Sequence, residues 1–303
     1  MFRHKSLILV PLALTFFFFY IHSKRSDWFS PSFITYDKSL WPSYNLPPLN
    51  ATEADKIQSI LDQPFTFLGS GNQTFAFVSS DNQYVLKLFK FQHLREPYLY
   101  SWLPEIGIIR DIKKAKLNSN QKRIQQVFNG HFLAYIMDQE NSGLIYAHLK
   151  ANEYQNLKVK LIDKRQKFHE LSLKDIVFVL QRKGESTNRV LGHFLVNNEI
   201  AKAKKHVEAI LAMYVREYHL GLYDRDHNVM HNTGFIGETP IRIDVGKLRY
   251  DEKMKNPQSF IVDLRKVAWE RIDKWVARYY PQFREDIAKS LSDFIQEIEL
   301  LEK

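Results

Sequence analysis

Three short runs of the chain, Phe65 to Leu68, Thr74 to Val78 and Tyr84 to Phe89, are rich in strand-forming residues, and the turn-rich segments Gly69 to Gln73 and Ser79 to Gln83 join them. Side chains that change faces at every step mark half-buried strands, so these runs predict an antiparallel meander. Val159 to Ile162 and Ile176 to Leu180 are further β-rich runs, with turn residues Asp163 to Gln166 between the first and Phe168 to Leu171, and the sheet reads as about five strands. Between them, Ile124, Val127, Phe128, His131, Tyr135 and Met137 recur at helical spacing and predict a helix over residues 120 to 139, with Gly130 a weak point inside it. From Asn198 the period lengthens. Ile200, Ala203, Val207, Ile210, Leu211, Tyr214 and Tyr218 form one apolar face of a long helix ending near Gly221. Phe235 to Ile236 and Ile241 to Val245 flank the turn Gly237 to Pro240 as a small hairpin, and after Lys255 the chain reads as helix to its end with a break at Pro281. The order is a β-rich half, a hinge at Gln181 to Glu185, and a mainly helical half.

The first residues obey another rule. Leu7 to Ile21 is apolar apart from Pro11 and Thr15, contains four consecutive Phe, and lies between Arg3, His4 and Lys5 on one side and Lys24 and Arg25 on the other. At 1.5 Å per residue it reaches about 22 Å, short of the roughly 30 Å hydrocarbon core of a bilayer. No small-residue cleavage pattern comes after it, which favours an uncleaved membrane anchor over a signal peptide. Both flanks are basic, so the side of the membrane is unread. Residues 26–60, with Pro31, Pro42, Pro47 and Pro48, read as a linker that partly packs on the domain it leads to.

Composition narrows the chemistry. At 303 residues and 45% hydrophobic content the chain has enough apolar side chains for a core. It has no cysteine, which excludes disulfides, zinc-thiolate sites and a cysteine nucleophile. A net charge of +9, spread over many segments, favours anionic partners. Nucleic acid is not expected among them, because there is neither zinc-finger spacing nor an aromatic-basic RNA-binding box.

Four segments carry candidate chemistry. In Leu68-Gly69-Ser70-Gly71-Asn72-Gln73-Thr74-Phe75-Ala76 a strand enters a turn whose glycines let backbone N–H groups approach phosphate oxygens. Lys87 interrupts an apolar strand one hairpin later, and an inward-facing ammonium needs an anionic partner. Asp224, Asp226, His227, Asn228, His231 and Asn232 crowd into nine residues after the long helix, where they supply a carboxylate base and an amide oxygen for a metal ion. Asp244 closes a short apolar strand before Gly246 and makes a hard, rigidly held metal ligand. Each segment taken alone also has a plain reading: a hairpin turn, a solvated edge lysine, a polar turn, a strand-ending aspartate.

In their order, and in a sheet-then-helix context, the four segments resemble the signature set of the protein-kinase-like superfamily, in its atypical and divergent members, from about Phe65 to Leu248. The resemblance implies an α+β, two-lobed fold: an N-lobe antiparallel sheet with one main helix over residues 61–182, and a reduced, mainly helical C-lobe over 183–303, behind an N-terminal hydrophobic helix in residues 1–25. It implies ATP and magnesium as cofactors. Gly69, Gly71 and Thr74 would cover the phosphates, Ala76 would roof the adenine and Lys87 would contact the α- and β-phosphates. Glu140, with Glu105 second, would be the acidic partner of Lys87. Asp226 would be the catalytic base, and Asn232 and Asp244 the metal ligands.

The departures are equally specific. Thr74 stands at the third glycine position, and Asp226 precedes Asn232 by six residues, one more than the usual protein-kinase interval. Asp224 and Asn228 offer a second, lipid-kinase-like register. No Ala-Pro-Glu follows Asp244. The expected activity is phosphate transfer from ATP to a hydroxyl, a protein substrate being preferred, by a chain anchored at a membrane. The alternative is a catalytically inactive kinase-like module serving as a membrane scaffold.

Overall fold

The computed structural model describes residues 28–35, 44, 46–91, 107–149 and 157–302. Short helix α1 (Pro31–Ile34) and α2 (Ala51–Leu61) precede the sheet. Helix α2 starts where Asn50 accepts from the Glu53 N–H at 2.9 Å while the Glu53 carboxylate accepts from the Asn50 N–H at 3.0 Å. It buries Ile57, Ile60 and Leu61. Both helices fall within or at the edge of the linker over residues 26–60. That segment is anchored: Phe29 meets Phe75 and Phe77 edge-on, at 5.4 and 5.1 Å between ring centroids.

The meander forms as β1 (Pro64–Ser70), β2 (Thr74–Ser79) and β3 (Tyr84–Phe89). Helix α3 (Gly107–Met137) and the turn-long α4 (Gln139–Ser142) come next, then β4 (Leu144–His148), β5 (Lys158–Ile162), β6 (Phe168–Ser172) and β7 (Phe178–Arg182). One seven-stranded sheet results, in the order β4-β7-β3-β2-β1-β5-β6. All its pairings are antiparallel except that of β1 with β5. Sequence patterning predicted about five strands and a shorter helix. Strand β4 escaped it because Leu144-Ile145-Tyr146-Ala147-His148 is buried at all but Ile145 and so shows no alternation.

Alternation along β3 divides its side chains between two cores. Leu86 and Leu88 join Phe65, Phe75, Phe77, Phe178 and Leu180 beneath α1 and α2. Phe89 faces the other way, with Val127 and Phe128 of α3 and with Val245 and Leu248 from the helical half. Lys87 shares the Phe89 parity, so the pleat turns it toward α3 and the helical half.

Strand β8 (Glu185–Ser186) leads into α5 (Thr187–Val196) and α6 (Ile200–His219). The sequence pattern does not predict helix α5. Gly221, at φ +79°, ends the α6 segment in the left-handed region. After β9 (Leu222–Asp224), the single turn α7 (Val229–Asn232) and the hairpin β10 (Thr233–Ile236) and β11 (Thr239–Arg242), strand β12 (Leu248–Tyr250) pairs back onto β9. The chain closes with α8 (Pro257–Arg265), a π-helical stretch (Lys266–Asp273), α9 (Lys274–Tyr279) and α10 (Arg284–Leu301), packed with α5 and α6 around one apolar core. The whole is a mixed α/β architecture with a large, mainly antiparallel sheet and a helical half, compatible with a kinase-like fold. Among the described residues no helix is long and apolar enough to cross a membrane, and Leu7 to Ile21 lies outside them.

Candidate active site

The turn between β1 and β2 closes with the Gly71 N–H donating to the Thr74 carbonyl at 2.9 Å. A Cβ on Gly69 would meet nothing within 4 Å, and one on Gly71 only the Thr74 carbonyl at 3.9 Å. Protein packing therefore does not demand these glycines. The space over them is open, as a cradle for phosphate oxygens requires. Thr74 is half-buried in β2, and Ala76 pairs directly across from Lys87. A residue the sequence reading passed over supports the turn from below. Lys90, nearly fully buried, donates to the Ser70 hydroxyl and to the Gly71 carbonyl at 2.6 Å, and its ammonium lies 4.2 Å from the centre of the Phe75 ring.

Lys87 reaches from β3 to the helical half, where its ammonium donates to the Ile243 carbonyl, a residue 156 positions away. Burial lowers its pKa, and the nearby Asp244 carboxylate opposes that shift. For Asp244 burial acts to raise the pKa, but the Lys87 charge and the Gly246 N–H, 2.9 Å away, outweigh it and leave the carboxyl below its ordinary value. Asp244 is thus an anion at the working pH. It lies deep among protein atoms and yet keeps its surface accessible to solvent, as the floor of a cleft does.

Helix α3 reaches this point through Gly130. A Cβ there would stand 2.2 Å from the Val245 carbonyl oxygen, so only glycine lets the helix backbone approach the Asp244-Val245-Gly246 segment this closely. One residue on, His131 is buried against Phe89, with its Nδ1–H donating to the Val127 carbonyl at 2.8 Å. Burial, with a smaller contribution from the Lys87 charge, pushes its pKa down to about 4, so the ring is neutral at physiological pH. Glu140, expected to pair with Lys87, is exposed on α4, and the carboxylate acting on Lys87 is that of Asp244. Glu105 lies outside the described residues.

The loop after β9 completes the cluster. The Asn232 amide donates to Asp226 Oδ1 at 3.0 Å, and the Asn232 carbonyl accepts from the Ile243 and Asp244 N–H groups at 2.7 and 3.0 Å. These bonds clasp Asp226, Asn232 and Asp244 together. Burial, and then the charge of Asp224, raise the Asp226 pKa. His227 takes the left-handed φ of +50° and bonds to the Asp263 carboxylate at 2.8 Å, which also accepts from the Tyr218 hydroxyl at 2.9 Å.

Asp224 has another occupation. Fully buried Arg242 forks onto Glu217 with two bonds of 2.5 Å and onto Asp224 Oδ2 at 2.9 Å. Asp224 is buried and held by Arg242 there, and Asn228 is exposed, so the register built on Asp224 and Asn228 is not the one gathered around Asp244. Gln181, from the predicted hinge, donates to the Ser142 carbonyl at 2.6 Å and to the Arg242 carbonyl at 2.7 Å, and so ties the sheet half to the helical half.

A metal ion fits this donor set in one manner. Among the described residues no group of three or more His, Cys, Asp and Glu side chains could hold one. The Asn232 amide oxygen and the Asp244 carboxylate are two protein donors. Magnesium, which takes few protein ligands and fills its octahedron with phosphate oxygens and water, suits such a pair.

No family model and no curated protein matches the chain. Among solved structures, WbdD, described as a bifunctional kinase-methyltransferase, aligns with 75% of this chain and 43% of its own at 13% identity and a TM-score of 0.36. A WbdD co-crystal with the kinase inhibitor LY294002 aligns with 77% of this chain and 45% of its own, at 13% identity and a TM-score of 0.37. The chain spans less than half the length of those structures, and a likeness of this size carries no argument about its chemistry.

Proposed function

We propose that the chain is an ATP- and magnesium-dependent phosphotransferase that phosphorylates a hydroxyl group. The observation that carries the reading is the convergence of Lys87, Asp226, Asn232 and Asp244, from strands and loops far apart in sequence, with the open glycine turn on the adjoining hairpin. In this reading the acceptor oxygen bonds to the γ-phosphorus as the bond to the β,γ-bridging oxygen breaks, ADP leaves with that electron pair, and Asp226 takes the hydroxyl proton. Its raised pKa suits a base. Lys87 and the Gly69 to Thr74 turn hold the triphosphate, Ala76 faces the base, and Asn232 and Asp244 hold magnesium. The ion's contribution is to neutralise charge on the transferring phosphoryl group. Membrane attachment through Leu7 to Ile21 remains part of the proposal.

A second reading, a nucleotide-binding module without turnover, is favoured by one observation: Lys87 bonds a backbone carbonyl beside a neutral histidine, and Glu140, expected to pair with it, is exposed. Nucleotide affinity and phosphate transfer measured on the same samples separate the two. Asp244→Ala is expected to weaken magnesium-dependent ATP binding and turnover together. Asp226→Ala is expected to leave binding intact and lower turnover about 10²-fold or more. Tight binding with no transfer to any acceptor would favour the module, and absence of magnesium-dependent ATP binding would sink both readings.

A further inference from the structure

Beside Asp226, a cavity of about 720 Å³ opens between α3 and the loop after β9. Asn118, Ser119, Lys122 and Arg123 of α3 form one wall, and Arg225, Asp226 and Lys247 the other. Its size is that of a small-molecule site, but its lining is mainly polar, unlike the apolar walls of most such sites. Four cations face one carboxylate. Among the described residues none of the four is ion-paired, whereas Lys204, Lys205 and Arg265 elsewhere on the surface bond to Asp286, Glu238 and Glu299. Arg249 lies outside this lining, in a neighbouring pocket that shares Lys122 and Gln126 with it. It donates to the Gln126 carbonyl at 3.0 Å, and its Nη2 is buried without an acceptor. Burial, and then the charge of Arg225, depress its pKa, against smaller opposing contributions from Tyr223 and Tyr44.

We infer that this cavity binds a phosphate-type oxyanion on the acceptor, and so places a neighbouring hydroxyl of that molecule at Asp226. The role toward the acceptor rests on the phosphotransferase reading; the anion site itself does not. None of the glycine turn, Lys87, Asn232 or Asp244 lines the cavity, so it is separate from the proposed nucleotide position. The acceptor is then anionic, and a neutral hydroxyl compound of the same shape is a poor substitute.

The test uses the full chain and two phosphate sources, each beside a neutral counterpart: glucose 6-phosphate against glucose, and phosphatidylglycerol vesicles against phosphatidylcholine vesicles. At least one anionic probe is expected to bind more tightly than its counterpart, with an affinity that falls as salt rises. Which probe does so distinguishes a soluble phosphate from a lipid headgroup. The exposed pair Lys122→Gln/Arg123→Gln on α3 and, separately, Arg225→Gln on the opposite wall are each expected to weaken that binding, the double variant about tenfold. ATP-magnesium binding, titrated on the same samples, is expected to change less than twofold. The inference is overturned if neither anionic probe exceeds its counterpart, or if both variants bind the probe as the parent does. If the probe binds through these residues while the parent fails to bind ATP with magnesium, the anion site stands and the phosphotransferase reading falls.

Discussion

Replacing Gly130 by Ala adds one methyl group at the closest approach between α3 and the Asp244-Val245-Gly246 segment. The added carbon would stand 2.2 Å from the Val245 carbonyl oxygen and 3.1 Å from the Gly246 carbonyl carbon, where ordinary contact begins at 3.4 Å. Both obstacles are backbone atoms, so no side-chain rotation relieves the clash, and helix and segment must part by about 1 Å. Two energies oppose one another. Alanine in a helix interior gains about 1 kcal/mol over glycine, and overpacking of this kind costs about 1–3 kcal/mol. The expected net is a loss of at most ~2 kcal/mol, read as a shift in the urea midpoint with unchanged slope. The functional loss is larger, because a 1 Å displacement of a reacting group costs on the order of 10²-fold. Magnesium-dependent ATP affinity and phosphate transfer are therefore expected to drop far beyond what partial unfolding explains. If Gly130→Ala instead stabilises the protein by about the helix-propensity gain and keeps full nucleotide affinity, the close approach does not hold Asp244 in place.

The buried charges lead to two more expected outcomes. Arg242→Met leaves the Glu217 and Asp224 carboxylates buried without their cation and is expected to cost about 3–5 kcal/mol in urea denaturation, while Arg242→Lys, which restores charge without the fork, falls between it and the parent. Asp138 is buried beside Glu217, and burial first and then that charge push its pKa up to about 8 from 3.8, against bonding by Asn141. The folded protein keeps this proton where the unfolded chain releases it, so the stability it lends is complete below about pH 4 and is lost as pH rises toward 8. Asp138→Asn, which keeps the acceptor for Asn141, is expected to gain on the parent progressively over that range, by at most ~5 kcal/mol, and a difference independent of pH refutes the protonated carboxyl.

The strands carrying the glycine turn and Lys87 were legible because local pattern and turn chemistry agree between Phe65 and Phe89. Helix α6 was legible for the same reason, since its buried residues lie at one helical period. The rest depended on contacts remote in sequence. The first turns of α3 expose Ile108, Ile112 and Leu117 among lysines, so no buried face marks them. Arg242 read as a strand residue, because nothing local announces Glu217, 25 positions earlier. Glu140 was out of reach of local pattern for a related reason: what meets Lys87 among the described residues is Asp244 and the Ile243 carbonyl, from the other half of the molecule. Gly130, read as a weak point in a helix, is where the helix meets the site.

The two bonds of Gln181 also have a mechanical meaning. A single amide nitrogen grips one carbonyl from each half at the rear of the cleft, and so acts as a pin. Rotation about a pin hardly stretches the bonds that form it, while the displacement of any other atom grows with its distance from the axis. The glycine turn lies three strands across the sheet from Gln181, in the order β7-β3-β2-β1, at the end of the long arm. The Lys87 bond to the Ile243 carbonyl joins the halves again from β3, so any angular play left by the two ties would be greatest beyond them, at the glycine turn.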